Sequence, residues 1–549
     1  MAMQKRAGGA ALLLPFGLLA QTADLVVVNA RIYTGNPAQP RASVVASKKD
    51  RIVYVGDDAT RWMAARRIDA HGAALLPGLI DSHGHLASLG DALETLDLRG
   101  MPSETAIAAK VREAAARHKP GEWIRGKAWD QNLFPAKQFP TAEPLNQAAP
   151  ANPVFLSRVD GHAAWVNQKA LDLADVNAAT PDPPGGKIIR DAQGRPSGVL
   201  VDRAQGLVGA QIPSPTLAEV ERRLERGARE CARLGLTTVH DAGVDAQELE
   251  AYRALIAQHR LPLRVYAMLS VSEVPGDNAL WREYQKKGPA IGAFLTVRSV
   301  KLYADGALGS RGAALLEPYS DEPSNSGLLI SSEAFLRKIA EEAVRAGFQV
   351  NTHAIGDRAN RVVLNAYAAA LGGLNDHRFR IEHAQVVAPS DFERFRQYSV
   401  LASMQPTHAT SDMPWAEARL GPQRIRGAYA WRRFMSLGVA LPFGSDFPVE
   451  SPDPLWGIYA AVTRQDHAGN PLGGWYPDQR LTREEALRGF TLDGAYAAFQ
   501  EKDKGSLEPG KLADFVLLSN DIMQIPAADI WKVHVTLTVL GGDVVYWAP

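Results

Sequence analysis

Eight short apolar runs, at residues 75–82, 235–241, 262–269, 297–303, 348–353, 378–383, 401–405 and 440–446, alternate with stretches patterned as amphipathic helices. That alternation limits the chain to a parallel sheet wound by helices. Eight units suffice to close a (β/α)8 barrel. An open doubly wound sheet would carry a glycine-rich dinucleotide loop after its first strand, and none follows residues 75–82. The helices have legible ends: Ser331 to Ala346 and Asp357 to Leu371 read as two of them, and Thr482-Arg483-Glu484-Glu485 as a capping box that starts a third. The expected fold class is therefore α/β, a TIM-like barrel.

Both ends of the chain are β-rich. Asp24 to Tyr33 and Arg51 to Gly56 form one pair of runs, and Ala513 to Leu518 and Val535 to Val539 another. Each pair alone is too small to bury a sheet face, so residues 24–74 and 503–549 are expected to join as one small β-sandwich. The barrel then occupies residues 75–90 and 231–502. The stretch between the first two barrel strands, residues 91–230, is too long for one crossover. It reads as an insertion growing from a βα loop on the catalytic face, where it would roof the active site.

Several of the apolar runs end in residues that can bind metal. Leu76-Pro77-Gly78-Leu79-Ile80-Asp81-Ser82-His83-Gly84-His85 leads a strand into two histidines one residue apart, and a strand turns alternate side chains to one face. Two converging imidazoles can grip a divalent metal, although an isolated His-x-His is also a common exposed loop. Here other run ends match it: His353, His383, Asp446 and Lys301. One such end is usually a surface or ion-paired residue; a series of them is hard to ascribe to accident.

Composition excludes other classes. Lys plus Arg equals Asp plus Glu, at 60 each, so the chain has no basic excess for a nucleic-acid footprint. The one cysteine, Cys231, rules out an internal disulfide and a cysteine-rich metal site, and its helical setting suits an inert packed thiol. Lys5 and Arg6 precede an apolar stretch from Ala10 to Ala20, with small residues at Ala20 and Ala23. Residues 1–23 thus read as a secretory leader, placing the protein in the periplasm or outside the cell; if the leader is not functional, it is cytoplasmic. The stretch is too short to span a bilayer, and no stable membrane anchor is expected. The oligomeric state is open, a homo-oligomer included.

Six stretches together resemble the amidohydrolase superfamily, most closely its YtcJ-like (amidohydrolase 3) branch. They are Pro77 to His85, Val300-Lys301-Leu302-Tyr303-Ala304-Asp305-Gly306 with Gly309-Ser310-Arg311, Thr352 to Asp357, Ile381-Glu382-His383-Ala384-Gln385, Gly444-Ser445-Asp446, and Gly505 to Asp514. The resemblance implies that His83, His85 and Asp446 hold one divalent metal, zinc by preference, while His353 and His383 hold a second. Lys301 would bridge the two after carboxylation of its amine to a carbamate; the alternative is a salt bridge to Asp305. Asp446 would pass a proton from a metal-activated water to the leaving nitrogen. His162 resembles a family position near the substrate, where it either donates to the carbonyl or packs.

Other residues stay open at this stage. Arg311 either clamps an anionic substrate group or forms a structural ion pair. Trp129, among the aromatic residues of the insertion, lines a substrate pocket or fills the insertion's own core. His240 and His408 lie at or just past the ends of two apolar runs, near the expected mouth, and neither counts as a ligand. The expected activity is metal-dependent hydrolysis of a non-peptide carbon–nitrogen bond in a small molecule: an amide, formamide or cyclic amide. An ester or lactone hydrolase would use the same metals, and a barrel that binds small molecules without catalysis is the alternative of another class.

Overall fold

The computed structural model describes residues 21–158, 163–183, 186–274, 278–309 and 311–548. Its centre is a 7-stranded parallel sheet ordered Leu401–Ser403, Arg380–His383, Gln349–Ala354, Leu295–Tyr303, Arg264–Ser270, Leu236–Val244, Leu79–Gly84. Each neighbour but the last follows its partner in sequence, as right-handed βα units require. The eighth run, 440–446, forms no regular strand but closes the barrel. Met404 bridges to Phe443 in parallel, and on the other side Ser82 N–H donates to the Phe443 carbonyl (2.9 Å) and Asp446 N–H to the His83 carbonyl (2.7 Å).

Closure depends on a glycine. A Cβ at Gly444 would stand 2.6 Å from the His83 nitrogen and 2.7 Å from Asp81 Oδ1, so nothing larger fits between the first and last barrel segments. Asp81 fastens the same seam by accepting from the Ser445 hydroxyl (2.7 Å) and the His83 amide (3.0 Å). Gly444→Ala is therefore expected to cost about 1–3 kcal/mol, the usual penalty of overpacking. A thermal melt would show it as a lowered midpoint, with metal content falling in parallel because His83 and Asp446 flank the seam.

The first apolar run divides in two. Ala74–Pro77 pairs with Arg31–Tyr33 and Phe515–Leu518 in a terminal sheet, whereas Leu79–Gly84 joins the barrel. The switch falls at Pro77-Gly78, where proline has no amide to donate and Gly78 N–H turns to the Asp514 carbonyl (2.9 Å). Two sheets make the sandwich. A four-stranded sheet holds Gln21–Val28, Val44–Lys48, Arg51–Gly56 and Trp62–Asp69, and a six-stranded one draws strands from both ends of the chain. Their shared core joins Leu25, Val27 and Ile32 to Phe515, Leu537 and Val539.

Residues 1–20 lie outside the described residues. Gln21 to Ala23, counted with the leader on sequence grounds, are strand residues paired with Trp62 to Ala64, because Ala23 is buried and continues the alternation. Among the described residues no helix is long and apolar enough to cross a membrane.

Residues 96–202 supply a further six-stranded sheet with its own core, in which Trp129, Phe134, Leu145 and Trp165 are fully or almost fully buried. Cys231 is buried on the helix Leu217–Arg233, and burial pushes its thiol well up, which makes it inert. The capping box at Thr482 and Glu485 is present.

Candidate metal centre

The strand ends converge at the C-terminal mouth of the barrel. His85 Nε2 stands 3.1 Å from Asp446 Oδ1, and His83 Nε2 stands 3.5 Å from the same oxygen. Lys301 Nζ is 3.0 Å from His83 Nε2. The His383 ring lies 5.0 Å from His83 and 4.5 Å from His353, centroid to centroid. All six expected ligands thus share one cluster. Within it, His83, His85 and Asp446 form one group whose ligand atoms lie within 4.8 Å of one another, and His383, His408 and Asp446 form another.

Asp446 is placed by a strained backbone. Its φ is 60° and that of His383 is 73°, both in the left-handed region, which Asp and His enter more readily than most residues other than glycine. Such strain persists where the surroundings overdetermine it, most often at functional sites. Here the Asp446 amide is held by His83 and the His383 ring by Gln405.

Hydrogen bonds decide which ring nitrogens are free. His83 Nδ1 donates to Glu382 Oε2 at 2.6 Å and His383 Nδ1 to Gln405 Oε1 at 2.7 Å. Each bond fixes the proton on Nδ1 and leaves the Nε2 lone pair facing the cluster, the arrangement metal-binding histidines need. Burial, then the Lys301 charge, pushes His83 well below its ordinary range, so it is neutral and able to ligate. Burial also brings His353 down to about 4 and His383 well below normal. His408 Nε2 is buried with no hydrogen-bond partner among the described residues, 3.8 Å from Asp446 Oδ2. Burial alone would raise the Asp446 carboxyl, but the hydrogen bond to His85 opposes it, and the group lies well below its ordinary range. Neutral imidazoles around an ionised carboxylate, with an orphaned nitrogen among them, fit a divalent transition metal. Glu382→Gln is expected to weaken metal affinity about 10- to 100-fold, measurable by competition with a chromophoric chelator.

Lys301 is buried, and loss of hydration brings its amine down to about 8, so a substantial neutral fraction exists near physiological pH. Asp305 is not its partner. That carboxylate accepts the amides of Ala314 (2.8 Å), Ile355 (3.0 Å) and Gly356 (2.8 Å), pinning the loops after two barrel strands.

Two sequence candidates fall elsewhere. Arg311 is spent on Asp321 (3.0 Å) and Glu322 (3.2 Å), a structural ion pair rather than a substrate clamp. Trp129 is fully buried, donates Nε1–H to the Leu156 carbonyl (2.7 Å) and packs on Trp165, so it belongs to the insertion's core and not to a substrate pocket. His162 lies outside the described residues. His240 is buried against Arg380 (2.9 Å) inside the barrel. His408 joins the cluster although it is not a strand-end residue: it follows Leu401–Ser403 on the first turn of the helix Pro406–Asp412. The sequence places it near the mouth without counting it as a ligand; the structure sets it in a candidate ligand group with His383 and Asp446.

The model of the amidohydrolase family matches residues 66–546. The chain belongs to the amidohydrolase family. Among its relatives, the putative amidohydrolase YtcJ of Bacillus subtilis is 33% identical over 87% of this chain and 90% of its own. An N-substituted formamide deformylase of Arthrobacter pascens is 28% identical over 96% and 99%. A solved metal-dependent hydrolase of Pyrococcus horikoshii shares 29% identity with a TM-score of 0.77, covering 92% of this chain and 99% of that one. This amidohydrolase is thus a metal-dependent hydrolase of carbon–nitrogen bonds in small molecules, built on a TIM-like barrel with an added β domain.

Proposed function

We propose that the enzyme hydrolyses an amide, formamide or cyclic amide, with Asp446 as the proton carrier. The observation that carries this reading is the position of Asp446: ionised, 3.1 Å from His85, and shared by both candidate ligand groups. When bound, a divalent metal, zinc by preference for this imidazole and carboxylate set, lowers the pKa of water to about 7 and polarises the scissile carbonyl. His83, His85 and Asp446 would hold one ion. His383 would hold a second, with His353 on the sequence reading and with His408 on the geometry.

Lys301, carboxylated on its neutral amine, would bridge the two. Its support is burial, the lowered basicity and the 3.0 Å approach to His83; a carbamate supplies two anionic oxygens where an ammonium offers none. Asp446 takes a proton from the attacking water and delivers it to the leaving nitrogen, so that the amine departs neutral. Glu382 and Gln405 keep His83 and His383 in the ligating tautomer throughout. The formamide deformylase likeness and the carbon–nitrogen chemistry of the family favour amide-type leaving groups. Lys5, Arg6 and the apolar stretch after them support export to the periplasm.

Assay of matched amide and ester substrates tests the reaction type. The enzyme is expected to turn over the amide, to lose activity on dialysis against a chelator, and to regain it with zinc. Turnover of the ester alone would move the assignment to ester or lactone hydrolysis.

A further inference from the structure

Between the barrel and the inserted sheet lies a cavity of about 560 Å³, within the range of small-molecule sites. Its lining includes Ala87 and Ser88, just past His85, and Pro448, two residues past Asp446, so it is built in part on the two segments that carry His85 and Asp446, although none of the candidate ligands lines it. Its ceiling follows from strand alternation. The parallel strands Ile124–Trp129 and Val154–Arg158 pair Arg125 with Phe155 and Lys127 with Ser157. These four turn to the cavity, while Ile124, Val154 and Leu156 turn into the insertion's core.

The charges in this cavity are unequally matched. Arg125 is paired with Asp91, and Arg223 with Asp91 (3.0 Å) and Glu94 (3.7 Å). Glu248 Oε2 accepts the Asp245 amide (3.0 Å) in a helix-capping box. Lys127 has no side-chain hydrogen bond or ion pair among the described residues, although it is half-buried, and the fields of Asp97 and Asp91 reach it without contact. An ammonium partly stripped of water and left unpaired on a cavity wall favours an incoming anion. Ala92, Phe155, Ile212 and Val220 contribute apolar side chains to a lining that also carries Thr95, Asp245 and Gln247.

We propose that this cavity is a substrate subsite for a hydrocarbon segment ending in a carboxylate, which Lys127 receives while the scissile carbonyl sits at the metal centre. The substrate class is therefore an ω-carboxylated amide rather than a neutral one. The proposal rests on the metal-hydrolase reading, because the metal centre fixes the other end of the substrate.

The test uses the zinc-loaded full-length enzyme and monohydroxamates of dicarboxylic acids of increasing chain length, each beside its methyl ester, with binding measured by calorimetry. The hydroxamate head seeks the metal and the tail reports on Lys127. At the chain length that spans the gap, the acid should bind about ten- to hundredfold more tightly than the ester. Lys127→Met should abolish that preference while still binding the ester, and Lys127→Arg should retain it. Equal binding of acid and ester at every length, or a preference that survives in Lys127→Met, would overturn the subsite and leave the metal centre standing. If no hydroxamate binds and elemental analysis finds no metal, the metal-hydrolase reading fails and the subsite fails with it.

Discussion

Asp446→Asn is expected to lower kcat on an amide substrate by about 10²–10⁴, the range lost when a positioned general acid–base is removed. The amide side chain is nearly isosteric but cannot take a proton from water or return one to nitrogen. It also removes the negative charge that His83, His85 and His383 surround, so weaker metal binding should accompany the loss. Measuring kcat with saturating zinc separates the two effects. A variant with full metal occupancy and a collapsed kcat identifies the proton carrier, whereas recovery of kcat at high zinc would reduce Asp446 to a ligand. KM should change much less than kcat, because the proton transfers occur after binding.

Lys301→Arg is expected to be nearly as damaging as Lys301→Ala, lowering kcat/KM about 10³-fold or more, as loss of several kcal/mol of transition-state stabilisation implies. Arginine keeps the positive charge near His83 but cannot form a carbamate. Were Lys301 only a cationic neighbour of His83, arginine would restore much of the activity lost in the alanine variant. Kinetics of the two variants with metal content measured on the same samples distinguishes the roles. Wild-type enzyme should also gain activity with added bicarbonate after prolonged decarbonation, and Lys301→Arg should not.

The barrel and most of the candidate metal cluster could be read from the sequence because both follow one rule. A parallel strand buried on both faces is a short apolar run, and the residue at its C-terminal end faces the mouth. His83, His353 and His383 obey it, and Lys301 lies two residues before the end of its strand. What escaped depends on geometry that periodicity does not encode. The first run looks continuous over 75–82, but Pro77-Gly78 divides it between two sheets. The last run, 440–446, reads as a strand, yet it closes the barrel through isolated bonds because Gly444 must pass so near His83. His408 sits on a helix and reaches the cluster by the rise of one turn.

Side-chain partners were the least legible feature. Arg311 lies in a family-like stretch, but its role is set by Asp321 and Glu322 in the loop beyond it. An aromatic residue within an insertion gives no sign of which face of its strand is buried, and Trp129 is on the core side. Conversely, Glu382 and Gln405 attract no notice as sequence letters. Only the distances of 2.6 Å and 2.7 Å to His83 and His383 show that they set the tautomers of two candidate ligands.

Anomalous diffraction at the zinc edge, from crystals grown with zinc and bicarbonate, tests the central claim most directly. An anomalous peak is expected between His83, His85 and Asp446, with a second beside His383 and electron density extending past Lys301 Nζ to join them. No peak among these residues, with Lys301 ending as a bare amine against His83, would contradict it.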